Sequence, residues 1–199
     1  MTKSRDSFGT SIVGGTEARK REHIETVLNA NVAAKGVTTG FESFAFAHCA
    51  LPELDLDNID LSTTVFGRHL RAPILISSMT GGAAKGGVIN RRLAASAQEL
   101  GLALGLGSQR AAIEQGKLAN TYKVRDIAPD ILLFANLGAV QLNYGYDVDQ
   151  ARLAVDMIEA DALFIHLNPL QEAVQPEGDR NWRGILVKLE ELVRKLEVP

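Results

Sequence analysis

Four hydrogen-bonding side chains lie close together within residues 162–178: His166, Asn168, Gln171 and Glu172. They follow a run of Leu, Ile and Phe that is typical of a buried strand, and Pro169 interrupts this run. Taken singly, His166 is more typical of a core histidine whose hydrogen bonds are satisfied, and each of the other three is more typical of a residue that caps a loop. As a group they indicate a ligand site, because α/β folds bind ligands at the carboxyl ends of their strands.

A group of cations lies near the start of a predicted helix that follows Thr16 and ends near Asn31. It consists of Arg19, Lys20, Arg21 and His23. Such a run is usually a solvated charged face. Cations at a helix N-terminus oppose the macrodipole, however, and a docked phosphate would reverse that cost. Both interpretations stay open on this argument.

Polar residues also follow the other strand-like runs. Ser78, Met79 and Thr80 precede two glycines that allow close approach of a flat or anionic ligand, or simply form a tight turn. Ser108, Gln109 and Arg110 follow the next run, and Arg110 occupies the position where a GxGxxG motif requires glycine. The guanidinium of Arg110 is suited to hold a diphosphate. Asn136 could hydrogen-bond the amide edge of a ring or cap its loop.

Apolar strand-like runs begin at even intervals, at Pro73, Leu102, Ile131 and Ala162. Helical patterns follow them at residues 87–100, 111–117, 148–159 and 182–196. This alternation predicts parallel βαβ units, and the even spacing favours a TIM (β/α)8 barrel over a doubly wound sheet. A barrel needs eight units and about 250 residues. We therefore expect residues 73–199 to supply the first four, with a fifth strand starting at Val198 and Pro199.

The remaining sequence is divided into a disordered tail, residues 1–15, and a segment of helix, connector and hairpin, residues 16–72. The net charge of −3 argues against non-specific nucleic-acid binding. A single cysteine, Cys49, excludes an intrachain disulfide. We find neither a signal peptide nor an apolar run long enough to cross a bilayer. These features predict a cytoplasmic protein without membrane or nucleic-acid partners.

The combined motifs resemble the type 2 isopentenyl-diphosphate isomerases from about Arg19 to Pro199. The matching residues are Arg19-Lys20-x-x-His23, Met79-Thr80-Gly81-Gly82, Ser108-x-Arg110, Asn136, and His166-x-Asn168-x-x-Gln171-Glu172 with the following Gln175-Pro176-Glu177-Gly178. The resemblance implies a TIM barrel that binds FMN and Mg2+ and uses NADPH as reductant. It also implies interconversion of isopentenyl and dimethylallyl diphosphate by a homotetramer or homo-octamer.

The resemblance further implies a role for each motif residue. FMN contacts would come from Ser78, Met79, Thr80, Ser108 and Asn136. Substrate contacts would come from Arg19, Lys20, His23, Ser108, Gln109, Arg110 and Gln171. Glu172 would bind Mg2+, and the catalytic residues would be Gln171, His166 and Asn168, with Gln171 near the reacting alkene.

Two alternatives stay open at this point. One is an FMN-dependent oxidoreductase of 2-hydroxy acids, which would need a histidine base and carboxylate-binding arginines on later strands. The other is a non-catalytic half-barrel fragment with an exposed strand edge. We expect the 199-residue piece alone to be inactive and to bind FMN weakly, because half of the expected barrel rim is missing.

Overall fold

The computed structural model describes residues 16–199, with side chains described from Lys20 onward. The predicted tail of residues 1–15 lies outside the described residues. The helices are α1 (Thr16–Asn29), α2 (Ala84–Leu100), α3 (Arg110–Glu114), α4 (Val148–Ile158), α5 (Pro169–Val174) and α6 (Ile185–Lys195). The strands are β1 (Thr63–Val65), β2 (Arg68–Leu70), β3 (Leu75–Ile76), β4 (Ala103–Gly105), β5 (Leu133–Gly138) and β6 (Ala162–His166).

A parallel sheet of four strands in the order β3-β4-β5-β6 forms the centre of the fold. Every residue of β4 and β5 is buried, which explains why these strands are almost wholly apolar in sequence. Helices α2 and α4 pack on one face of the sheet, where Leu104, Leu133 and Ile158 belong to the main apolar core. The strands therefore form within all four of the predicted apolar runs.

The sheet is open, and this corrects the predicted TIM barrel. In the described residues β3 and β6 are the two edges, whereas a barrel needs eight strands that close on themselves. At the predicted fifth strand, Leu163 donates a backbone hydrogen bond to the carbonyl of Pro199 (2.9 Å), but no strand forms there. The architecture is a mixed α/β fold with a four-stranded parallel sheet.

Two predicted helices differ from the structure for local reasons. Helix α2 begins at Ala84, before Gly86 and Gly87, because these glycines allow the first turn to pack against backbone. A Cβ atom added to Gly86 would lie 3.0 Å from the backbone nitrogen of Gly81. The segment predicted as one helix at residues 111–117 is instead α3 followed by a 3-10 helix, Gly116–Thr121.

In the described part of the chain, no helix combines the length and the apolar character required to span a bilayer.

The β1-β2 hairpin is attached to the amino-terminal end of the sheet by a network of charges. Its turn places Phe66 and Gly67 at positive φ, as a two-residue hairpin turn requires. Arg68 in β2 contacts Asp161, which immediately precedes β6, at 2.5 Å, and Arg125 contacts the other carboxylate oxygen at 3.0 Å. The backbone N–H of Leu133 also donates to Asp161, at 2.9 Å. One carboxylate thus connects the hairpin, the Arg125 loop and strand β5.

Candidate functional site

A cavity of about 620 Å3 lies at the carboxyl-terminal end of the sheet. This volume lies within the range typical of small-molecule sites. Most of the side chains singled out in the sequence line it. They are Lys20, His23, Ser78, Met79, Ser108, Arg110, Asn136, His166, Asn168, Gln171 and Glu172.

The turn from β6 into α5 brings the first cluster into this cavity. His166 is the last residue of β6, and Pro169 is favourable as the first residue of α5 because its missing N–H has no helical partner there. Glu172 therefore lies one helical turn beyond Asn168, on the same side of the short helix. Its side chain turns inward, and the residue is 6% exposed, whereas neighbouring Gln171 is exposed at the rim.

Both carboxylate oxygens of Glu172 are held by hydrogen-bond donors. The Asn168 amide Nδ2 donates to Oε1, and the backbone N–H of Asp179 donates to Oε2, each at 2.8 Å. The remaining amide atom of Asn168, Oδ1, is buried without a hydrogen-bond partner among the described residues. Since an oxygen in this condition is costly, it is a natural acceptor for a ligand in the cavity.

His166 presents a neutral imidazole to the cavity. Its Nδ1 lies 2.8 Å from the amide oxygen of Asn136, a contact that favours the tautomer with the proton on Nδ1. Burial lowers the pKa of His166, and the nearby charge of Lys20 lowers it further, while Glu172 acts in the opposite direction. At neutral pH this histidine is therefore a hydrogen-bonding group and a base, and not a cationic acid.

Arg110 lies in the cavity wall between two acids. Its Nε donates to Glu114 and its Nη1 donates to Asp179, both at 2.6 Å. The side chain of Arg110 is 27% exposed and that of Asp179 is 14% exposed, so this pair is partly shielded from water. The guanidinium is thus present where the sequence predicted an anion contact, but in a fixed orientation.

Three of the predicted site residues are not shown to contact the cavity. The hydroxyl of Thr80 is hydrogen-bonded to Asn90. Gln109 is fully buried and its amide nitrogen donates to the carbonyl of Ala154 (2.7 Å), while its amide oxygen accepts from the backbone N–H of Asn136 (3.0 Å). These bonds hold the Gln109 side chain between β5 and α4. Arg19 belongs to α1, but its side chain lies outside the described part.

Two residues of the site were missed in the sequence. Gln141 lines the cavity beside His166, and its amide nitrogen lies 3.3 Å from a carboxylate oxygen of Asp179. Asp179 directly follows Gly178, the last residue of the recognised motif. The sequence feature that could have identified Asp179 is its position directly after Gln175-Pro176-Glu177-Gly178. Its partners are distant in sequence, so their contact appears only in the fold.

A metal ion at this cavity would need ligands in addition to the protein side chains described. Among the described residues, no group of three or more His, Cys, Asp or Glu side chains is arranged to hold one. Glu172 offers a single buried carboxylate whose oxygens retain further lone pairs. Mg2+ is commonly bound by one or two carboxylates together with substrate phosphates and water. The site fits that mode and not a closed protein cage.

Replacement of Gly178 by alanine is expected to displace the loop that follows it. A Cβ atom there would lie 1.8 Å from the backbone oxygen of Glu172, so the loop carrying Asp179 must move away. We expect Gly178→Ala to weaken pyrophosphate binding by about tenfold through loss of the Asp179–Glu172 contact. Isothermal titration of the purified protein with pyrophosphate measures this. Gly116→Ala is the control without a clash, because that glycine, like Gly178, has no positive φ and has open space around it. Equal binding by the Gly178 variant and wild type would contradict the expectation.

No family model matches the chain, but many known proteins are similar to it, and three of them are described in turn. A Synechocystis protein is 63% identical over 184 residues, which are 92% of this chain and 53% of that protein. A Stutzerimonas stutzeri protein is 58% identical (92% of this chain, 53% of that protein), and a Nostoc protein is 52% identical (96% and 54%). All three are named isopentenyl-diphosphate delta-isomerase. The chain spans about half the length of these curated relatives.

These relatives correct the resemblance to the type 2 isomerases. Their names state the isomerase reaction without a type or a flavin, and they are about twice as long as this chain. What the similarity supports is the broader group of proteins named isopentenyl-diphosphate delta-isomerase. The narrower assignment, made from the motifs, is not supported.

Proposed function

We propose that this chain carries the substrate site of an isopentenyl-diphosphate delta-isomerase. The observation that carries the proposal is the cavity at the carboxyl end of the sheet. There, the cations Lys20 and Arg110 share one space with His166, Gln171 and Glu172. The names of the similar proteins support the same reaction.

The composition of the cavity wall suits a short prenyl diphosphate. Lys20 and Arg110 provide positive charge for the diphosphate, and Glu172 can share a Mg2+ ion with phosphate oxygens. Leu75 and Phe164 provide apolar surface for the five-carbon chain. A substrate with an anionic head and an apolar tail therefore finds a complementary region for each part.

The reaction requires a proton to be added at one carbon and another removed two carbons away. An alkene is a weak base, so a strong acid or an electron-rich surface has to assist the first step. Neutral His166 and the Glu172 carboxylate are poorly suited to protonate it. The chain's own residues would instead orient the substrate, with the diphosphate held at the cations and the Gln171 amide near the alkene.

A reduced flavin is the group we propose for the proton transfer. The fit rests on Ser78 Oγ and Asn168 Oδ1, which are buried without partners among the described residues, and on the Asn136 amide, which lines the same cavity. Such atoms suit the donor and acceptor edge of a ring. Reduced FMN would supply an acid/base nitrogen and electron-rich support, and NADPH would serve as the external reductant.

Lys20→Ala tests the proposal in the purified full-length protein. We expect the KM for isopentenyl diphosphate to rise about tenfold, since one charge-assisted contact to the diphosphate is lost. The measurement is conversion of isopentenyl to dimethylallyl diphosphate with Mg2+ and reduced FMN. Lys117→Ala is the control, because Lys117 is exposed and outside the cavity wall. Absence of any isomerisation by wild type would refute the proposed function.

A further inference from the structure

Asp179 connects two charged residues that line the cavity, Arg110 and Glu172. Its carboxylate accepts from Arg110 Nη1 (2.6 Å) and from the Gln141 amide (3.3 Å), both through the same oxygen, Oδ2. Its backbone N–H donates to Glu172 Oε2 at 2.8 Å. One residue therefore bonds to the guanidinium, a neutral amide and the buried carboxylate of the site.

The contact fixes how Arg110 presents its donors. The guanidinium is planar, and bonds at Nε to Glu114 and at Nη1 to Asp179 determine the orientation of that plane. Neither of these two bonds uses Nη2, which is the part of the guanidinium that the proposed orientation would give to an oxyanion in the cavity. Of these two bonds, the one to the more exposed Glu114 would alone remain to limit rotation of the Arg110 side chain without Asp179.

We propose that Asp179 is a positioning residue for diphosphate binding, acting by orienting Arg110 towards the anion. This inference rests on the site in the proposed function and assigns a role that the motif does not include. The charge of Asp179 by itself disfavours an anion nearby. Any favourable effect of Asp179 on anion binding must therefore come from the way it orients Arg110. Substitutions at Asp179 can separate this orientation from the effect of its charge.

Two substitutions at Asp179 separate these effects. Asp179→Asn removes the charge but keeps an oxygen at the same distance from the backbone, and its N–H to Glu172 is unchanged. Asp179→Glu keeps the charge but moves the carboxylate by one methylene. If geometry matters, binding of inorganic pyrophosphate with Mg2+ should stay within about threefold of wild type in Asp179→Asn and weaken about tenfold in Asp179→Glu.

A double-mutant cycle shows whether the effect passes through Arg110. In an Arg110→Ala background, Asp179→Glu should cause little further loss of pyrophosphate affinity, because the group it orients is gone. Glu177→Ala is the matched control from the same loop, since Glu177 is exposed. Isothermal titration of the full-length protein provides the affinities, and urea unfolding midpoints identify variants that lose affinity through lost stability.

The opposite pattern would overturn the inference. Retained affinity in Asp179→Glu with weakened affinity in Asp179→Asn would assign the effect to charge. A loss in Asp179→Glu that persists unchanged without Arg110, or that follows the unfolding midpoint, would make the role structural. Absence of pyrophosphate binding by wild type would overturn it as well. The expected binding pattern without isomerase turnover would refute only the proposed function.

Discussion

Glu172→Gln is expected to lower isomerase activity on the order of 100-fold at a fixed, limiting Mg2+ concentration. The substitution removes the charge that would bridge to the metal. It also replaces an acceptor by an amide NH2 group, which must face one of two donors, Asn168 Nδ2 or the Asp179 N–H. The measurement is turnover of the full-length protein with reduced FMN during a Mg2+ titration. We expect the half-saturating Mg2+ concentration to rise and Mg2+-dependent pyrophosphate binding to weaken.

Gln171→Ala is the matched comparison from the same helical turn. Gln171 is exposed at the cavity rim, and neither hydrogen bond that holds Glu172 involves it. This variant should keep the Mg2+ dependence and the pyrophosphate affinity of wild type and lose turnover, because only the positioning of the alkene is affected. An unchanged Mg2+ requirement in Glu172→Gln, or full turnover in Gln171→Ala, would contradict the role given to that residue.

Asp161→Asn is expected to lower the free energy of unfolding by roughly 3 kcal/mol, far from the cavity residues of the proposed site. The carboxylate contacts Arg68 and Arg125, and it also accepts from the backbone of Leu133. The Asp161 and Arg125 side chains are 13% and 14% exposed, so the substitution leaves a largely buried guanidinium without its counter-charge. The shift of the urea midpoint at constant m-value provides the measurement.

Asp126→Asn is the control for this stability effect. Asp126 also forms a bidentate pair with an arginine, Arg91, but those side chains are 61% and 46% exposed. Solvent screening should limit the loss to about 0.5 kcal/mol. Equal losses in the two variants would show that burial of the Asp161 network is not what stabilises the hairpin against the sheet.

The same network gives stability a defined pH dependence. Burial alone would raise the pKa of Asp161, but the Leu133 N–H and the two arginines more than offset burial and hold that pKa below its ordinary value. A lowered folded-state pKa stabilises the protein above the unfolded value, about 3.9, and this contribution is lost as pH falls through the folded pKa. Below a pH of about 3.9, the free energy of unfolding should therefore differ less between wild type and Asp161→Asn than it does at neutral pH.

The sequence by itself determined features that depend on near neighbours in the chain. Runs of mostly apolar residues predicted the four strands, because strands buried on both faces of a parallel sheet consist mainly of apolar residues. The group of polar residues at the end of β6 was also predictable, because its members are close to one another in the sequence. His166, Asn168 and Glu172 are separated by one strand end and one helical turn, so the local geometry alone brings them close.

Only the tertiary structure decided how distant residues combine. Gln109 and Arg110 are adjacent in sequence, yet Gln109 is buried against α4 and Arg110 reaches the cavity, where it meets Asp179, 69 residues later. The open sheet also escaped the sequence pattern. An apolar parallel strand has the same residues in an open or a closed sheet, because closure depends on which edges meet and not on the composition of any one strand.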